Sequence, residues 1–321
     1  MFTSQYIKFA VFNLISPNPS TPEPCLLTNA SMTTGQSFPE RLNISSEFDS
    51  EDADLVLLSR DPPAEFHVHS IILKTASPFF SDMFTLPQDP TTDAECLKSR
   101  KPVVPVTESR GVLMALLRFV YPIPDPEIHS LEEIPPVLDA AIKYDFSGTI
   151  TALRRLLTSP HHLLQSPIKV YAIASRFELD EDAQTASSHT LRCNLFDSPI
   201  CEDLKYISAW QYHRLLELHR TRSRHAQEII DANNCPVEVK CIQCNSSILT
   251  SHGQPRWYDR WEVDAKAELA LRPISETIFS MEFISKAVKK ADCVRCSDSV
   301  FRCWPWLMEM KTKIDELPQT I

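Results

Sequence analysis

Apolar residues in this chain repeat at strand spacing over one short stretch and at helix spacing almost everywhere after it, and that order limits the folds it can adopt. Leu55-Val56-Leu57-Leu58 is a compact apolar run, Asp61-Pro62-Pro63 is turn chemistry, and Glu65-Phe66-His67-Val68-His69 alternates as a second strand does, so the pair predicts a hairpin. Ile71, Ile72, Thr75 and Ala76 then hold helical spacing up to Ser77-Pro78, and Pro78 suits the first turn of a next helix over Phe79 to Phe84. Val103-Val104-Pro105-Val106 reads as an edge strand, because proline cannot donate to a ladder. Helical faces follow over Val112–Tyr121, Leu131–Tyr144 and Ile150–Leu157, and from Pro167 onward over Ala183–Phe196 and Leu204–Ile230. Strands first and helices after indicate an α+β domain with an all-α continuation, not a parallel doubly wound sheet.

Composition removes several enzyme classes. The 321 residues contain 4 glycines, where average usage would give roughly 22. Gly35, Gly111, Gly148 and Gly253 lie too far apart for a dinucleotide fingerprint, a phosphate loop or a nucleophile elbow, each of which needs two glycines close together. A formal charge of −10 argues against a phosphate backbone as the main partner. No apolar run approaches the roughly 20 residues that cross a bilayer, and Met1–Ser16 has only a short apolar stretch, broken by Asn13, without a cleavage site. The expectation is a cytoplasmic or nuclear protein whose cysteines stay reduced. Residues 1–49, rich in Ser, Thr, Pro and Asn from residue 16, read as a flexible leader.

The order of elements resembles a known family. Asp52-Ala53-Asp54-Leu55-Val56-Leu57, Phe66-His67-Val68-His69 and Ala76-Ser77-Pro78-Phe79-Phe80-Ser81-Asp82-Met83-Phe84 are similar to the opening strand, hairpin and helical pair of the BTB/POZ domain. Pro102-Val103-Val104-Pro105-Val106-Thr107-Glu108-Ser109, Leu116-Leu117-Arg118-Phe119-Val120-Tyr121-Pro122 and Ala141-Ile142-Lys143-Tyr144-Asp145 resemble its later elements. Val170-Tyr171-Ala172-Ile173-Ala174 looks like the helical extension of the BTB proteins that basidiomycete fungi carry in many copies. The resemblance implies a BTB/POZ fold of short strands and a helical cluster, no catalysis, homodimerisation, and recruitment of protein partners, in many members a cullin scaffold of a ubiquitin ligase. It also implies that Asp54 and His69 lie near the dimer and partner face and support structure. Cullin-binding relatives tend to carry a hydrophobic-x-acidic signature after the Met-Phe helix, and this chain has Leu86-Pro87-Gln88 without the carboxylate.

Other residues bear weighing. Asp54 and His69, with Ser70 or Ser77, have the look of a catalytic set, but no oxyanion-hole loop accompanies them, so the structural reading stands. His67 and His69 alternate along a strand, and two histidines alone do not close a metal site. Phe79, Phe80, Met83, Phe84 and Leu86 crowd one short helix and its end, too many to bury together, and with Asp54 and His69 they form the candidate dimer or partner interface, core packing being the default reading for Phe80 and Met83. Arg214, His219, Arg220, Arg222, Arg224 and His225 are basic but wrap around their helix with Glu217 and Glu228 among them, so nucleic acid is not the expected ligand.

The sharpest chemical signal is Cys241-Ile242-Gln243-Cys244 with Cys293-Val294-Arg295-Cys296. Each C-x-x-C turn aims two thiolates one way, and two turns complete a tetrahedral four-sulfur set for structural zinc. The 48 residues between Cys244 and Cys293 exceed the usual spacing, but the longer loop adds only about 1 kcal/mol of closure entropy, against about 10 to 16 kcal/mol from a structural zinc. Uncoordinated thiols, a disulfide and redox activity remain alternatives, and Cys235 and Cys303 are substitute ligands. Trp257, Trp261, Ala265 and Leu269, spaced by four up to Pro273, and a helix over Ile278–Val288 would pair and bring the two turns together.

The reading is therefore a leader (1–49), a BTB domain (50–158), a helical extension (159–230) and a small cysteine-bearing helical module (231–321). Its expected role is non-enzymatic protein association. A cullin adaptor and a nuclear regulator with a zinc-stabilised C-terminal module are the alternatives.

Overall fold

The computed structural model describes residues 43–86, 101–236, 239–245 and 253–321. Two compact units divide them: residues 43–128 with 136–151, and residues 129–135 with 152–321.

The first unit is built on a four-stranded sheet: β1 (Asn43–Asp49), β2 (Leu55–Leu58), β3 (Ala64–Val68) and β4 (Val103–Pro105), in the order β1-β3-β2-β4. The hairpin expected from the alternation is present, with Leu55 opposite Val68 and Leu58 opposite Glu65 in an antiparallel pair. Along β3, Ala64, Phe66 and Val68 are buried while Glu65 and His67 are half-buried. β2 is buried on both faces, Leu55, Val56 and Leu57 alike, which is why it reads as a continuous apolar run. β4 pairs in parallel with β2 at the sheet edge, where Pro105 needs no ladder partner on its outer side.

One boundary of the leader moves. β1 occupies residues 43–49, the end of the stretch read as flexible, and pairs in parallel with β3. Its Ser45 and Phe48 are fully or almost fully buried. Polar composition concealed it, because a strand held by main-chain hydrogen bonds needs few apolar side chains.

The helices α1 (Ser70–Ala76), α2 (Pro78–Met83), α3 (Arg110–Val120), α4 (Ile134–Lys143) and α5 (Ser147–Leu157) follow. Leu73, Phe80, Leu113, Leu116, Leu117, Ala141, Tyr144 and Phe146 fill the first unit's core. Phe80 sits 5.4 Å from Tyr144 and 5.8 Å from Phe146 between ring centroids. Both α3 and α2 start on serines whose hydroxyls accept a backbone N–H, from Val112 to Ser109 and from Phe80 to Ser77.

The second unit is helical. α6 (Pro160–Gln165), α7 (Pro167–Arg176) and α8 (Asp180–Thr190) precede a 3₁₀ turn (Glu202–Tyr206) and the long α9 (Ala209–Ala232). The span read as Ala183–Phe196 starts earlier and stops at Thr190. Asp180, Glu181 and Asp182 crowd its first turn, where the helix dipole favours carboxylates, and Arg154 pairs with Asp182 at 2.5 Å and Glu181 at 2.8 Å. α9 opens on a capping box made by Ser208 and Gln211, so the helix begins at Ala209 rather than Leu204.

After α9 come α10 (Arg256–Leu271), α11 (Ser275–Ile278), α12 (Met281–Lys290) and α13 (Cys296–Asp315). The stripe Trp257, Trp261, Ala265 and Leu269 is completely buried, as its spacing predicts. Each indole N–H finds an acceptor, Ser299 Oγ at 2.9 Å for Trp257 and the Ile278 carbonyl at 2.8 Å for Trp261. The expected Ile278–Val288 helix breaks at Phe279-Ser280, where Ser280 caps α12 through the Phe283 N–H. Among the described residues, no helix is long and apolar enough to cross a membrane.

The basic stretch on α9 serves packing. Arg222 is buried and donates to the carbonyls of Pro273 (2.9 Å), Ile314 (3.0 Å), Leu317 (2.5 Å) and Pro318 (3.0 Å), closing the carbonyl end of α13. Arg224 reaches Glu228 on its own helix.

His219, also on α9, is buried with Nε2 3.1 Å from Thr190 Oγ1, and burial lowers its pKa to about 4. An unfolded histidine titrates near 6.5, so the fold selects the neutral ring. Stability is then complete above pH ~6.5 and falls as pH drops toward ~4, by an amount of order 3 kcal/mol. Denaturant unfolding at pH 7 and pH 4.5 measures this, and the expected result is that His219→Gln flattens the fall over that window.

Candidate functional site

In the first unit, the residues singled out for interaction gather around α1 and α2. Asp54 lies just before β2, and both its oxygens are engaged by Ser70, from the backbone N–H at 2.7 Å and the hydroxyl at 2.5 Å. It thus caps α1 from 16 positions away, since the residue at the cap position, His69, makes no side-chain cap bond. Burial alone would raise the Asp54 pKa, but the two Ser70 bonds outweigh it and hold the carboxyl below its ordinary value.

His69 donates its backbone N–H to the Tyr121 hydroxyl at 2.7 Å, and its Nε2 lies 3.3 Å from Asp52. β3 ends at Val68, so His69 does not continue the strand or share a face with His67, which sits between Asp49 (3.7 Å) and Glu65 (3.6 Å). The Ser77 hydroxyl donates to the Tyr144 carbonyl. Asp54, Ser70 and Ser77 are engaged at helix ends or by a backbone carbonyl, and the His69 ring lies against the Asp52 carboxylate and the Tyr121 hydroxyl.

The aromatic helix divides as a short helix must. Phe80 is buried, whereas Phe79, Met83 and Phe84 are half-buried and Leu86 is 47% exposed. Met83, named in the interface set and with the core as its default reading, is half-buried beside the buried Phe80. Pro87 and Gln88, which bear on the cullin signature, lie outside the described residues.

In the second unit, the two C-x-x-C turns meet. Cys241 Sγ is 3.5 Å from Cys293 Sγ and Cys244 Sγ is 3.7 Å from Cys296 Sγ, and all four sulfurs lie within 4.8 Å of one another. A sulfur tetrahedron around an ion with metal–sulfur bonds of about 2.3 Å has edges of about 3.8 Å. The four sulfurs match a metal cage and are too far apart for disulfide bonds of about 2.05 Å. The residues can hold a metal ion.

Local structure explains the convergence. Asn245 is buried; its Oδ1 accepts the Cys241 N–H at 2.5 Å, its own N–H donates to the Cys241 carbonyl at 3.3 Å, and its Nδ2 reaches the Gly253 carbonyl at 3.1 Å. That ring closes the first turn. The second turn follows Asp292, whose φ of 48° is the left-handed conformation that ends α12, and it closes with the Cys296 N–H on the Cys293 carbonyl at 3.2 Å. Cys296 then starts α13.

Backbone amides face the sulfurs. Burial would raise Cys241, but the N–H groups of Cys244 and Gln243 prevail and lower its pKa. Burial raises Cys244 and Cys296, opposed by the N–H groups of Arg256 and Trp257, the first two residues of α10. The positive end of a long helix is thereby aimed at sulfurs that a metal would hold as thiolates. Cys235 and Cys303, considered as substitute ligands, lie 3.8 Å from each other and outside the set of four.

α13 was not foreseen. Its signal was present, since Val300, Cys303, Leu307, Met310 and Ile314 repeat at alternating spacings of three and four and are all buried. Pro305 within the helix and the adjacent tryptophans obscured it. Asn245 was also missed, because a single asparagine after a C-x-x-C carries no spacing signal.

Removal of the Asp54 carboxylate tests the cap. Asp54→Ala should lower stability by about 1 kcal/mol, read as a shift in denaturation midpoint, while Asp54→Asn, which retains an acceptor, should lose less.

Comparison with known proteins adds one finding over this geometry. Residues 45–161 match the family model of the BTB/POZ domain. No curated protein matches the chain.

Proposed function

Starting from a BTB/POZ domain at residues 45–161, we propose that this protein is a non-enzymatic interaction protein that self-associates through that domain and carries a structural zinc in its C-terminal module. The BTB/POZ domain is a protein-interaction module, and the match over residues 45–161 is the observation that carries the interaction role. Self-association is supported by the half-buried Phe79, Met83 and Phe84 and the exposed Leu86, apolar side chains that the first unit's own core does not take up. The absence of catalysis is supported by the engaged side chains of Asp54, held by Ser70, and of Ser77, held by the Tyr144 carbonyl. A scaffold is favoured over a cullin adaptor because Leu86-Pro87-Gln88 lacks the carboxylate of cullin-binding relatives.

Zinc suits the second site because four thiolates are a soft, tetrahedral donor set. Cys241, Cys244, Cys293 and Cys296 would hold the ion; bound there it supplies crosslinking and no chemistry, since four sulfurs leave no open position for a substrate. Asn245 and the amide end of α10 would orient and neutralise the sulfurs.

Light scattering at micromolar concentration should give a mass above that of one chain, and Met83→Asp with Leu86→Asp should reduce it with the helical circular dichroism retained. A strictly monomeric native protein overturns the self-association. Elemental analysis of protein purified without added metal should find about one zinc per chain, lost in Cys241→Ser with Cys293→Ser. Asn245→Ala should weaken zinc binding by about 10-fold or more in a chelator competition.

A further inference from the structure

Of the described cysteines outside the set of four, two face each other. Cys235 and Cys303 are both buried, with sulfurs 3.8 Å apart. We propose that Cys235 and Cys303 form a peroxide-reactive dithiol, a modification site separate from the four-cysteine centre, whose disulfide closes a covalent loop around that centre.

The placement carries the argument. Cys235 lies in the irregular segment after α9 and Cys303 lies on α13, 68 positions later. Cys241, Cys244, Cys293 and Cys296 all fall between them in sequence. A bond between the two would therefore close a loop that contains all four. Contraction from 3.8 Å to a bond of about 2.05 Å falls mainly on Cys235, whose backbone belongs to no helix or strand. Cys193 and Cys201, the other described cysteines, are held up in pKa by burial and so are poor nucleophiles.

Two observations assign the roles. Cys235 is 7% exposed and Cys303 is 0% exposed, so a small oxidant reaches Cys235 first. The hydrogen bond between them favours a thiolate on Cys235 and a thiol on Cys303. The Cys235 thiolate attacks one oxygen of hydrogen peroxide; the S–O bond forms, the O–O bond breaks, and hydroxide leaves, giving a sulfenic acid. The Cys303 sulfur then displaces that hydroxyl; the S–S bond forms, the S–O bond breaks, and the Cys303 proton departs with the hydroxide as water. Overall two thiols are oxidised and one peroxide is reduced to two waters.

The test uses the full chain, reduced, freed of reductant, and exposed to a small excess of hydrogen peroxide. Thiols titrated after denaturation with chelator should fall by two from the ten of the reduced chain, and a non-reducing peptide map should show Cys235 joined to Cys303, reversed by dithiothreitol. A map in which these two stay reduced, or join only to other cysteines, overturns the proposal. Because the map identifies each crosslink separately, it does not depend on whether the set of four holds a metal. In Cys303→Ser, and in Cys303→Ala as the variant that keeps an apolar side chain in the core, dimedone should label Cys235. An unlabelled Cys235 in a folded variant overturns its assignment as the attacking sulfur.

Discussion

Four sulfurs lie within 4.8 Å of one another on two turns separated by 48 residues, and the helices between them have to pack so that those turns can meet. The constraint works in both directions. α10 leaves the first turn with its amide end toward Cys244 and Cys296, and its tryptophans bury themselves against α13 and α11 through Ser299 and Ile278. α13 begins on Cys296, one of the four cysteines, and ends under the guanidinium of Arg222. Core and cage are thus the same helices seen from two ends, so loss of either should loosen the other.

The first unit follows a different logic, in which short elements are held by polar caps over an apolar interior. Asp54 on α1, Ser77 on α2 and Ser109 on α3 satisfy helix N–H groups that a small domain exposes in large numbers. Asp54 and Ser77, two of the side chains that looked most reactive, are used this way. Asp54 and the serines are thereby engaged at helix ends, and Phe79, Met83, Phe84 and Leu86 remain only partly covered by the unit's own core.

Much of this was legible in advance. The hairpin, the edge strand at Pro105 and the buried stripe from Trp257 to Leu269 follow from periodicity, because burial of one face imposes a spacing that polar residues cannot hide. Where polar groups rather than burial decide, periodicity misled. β1 lies in a polar segment, α9 waits for Ser208, and the helix after Ile278 restarts at Ser280, each set by hydrogen bonds of one side chain or one ladder. Arg222 was read as one charge among several, although its four carbonyl partners come from segments up to 96 positions away.

The cysteine module shows where the boundary falls. Two C-x-x-C motifs singled out, from sequence alone, the four residues that can hold a metal, because a four-residue turn brings its own pair of thiols together. Only the tertiary structure decided that the two pairs meet, that Asn245 locks one turn, and that Cys235 and Cys303 pair apart from the four. The physical reason is range: a turn is set by its own residues, whereas the meeting of sulfurs 52 positions apart is set by how the intervening helices bury their faces.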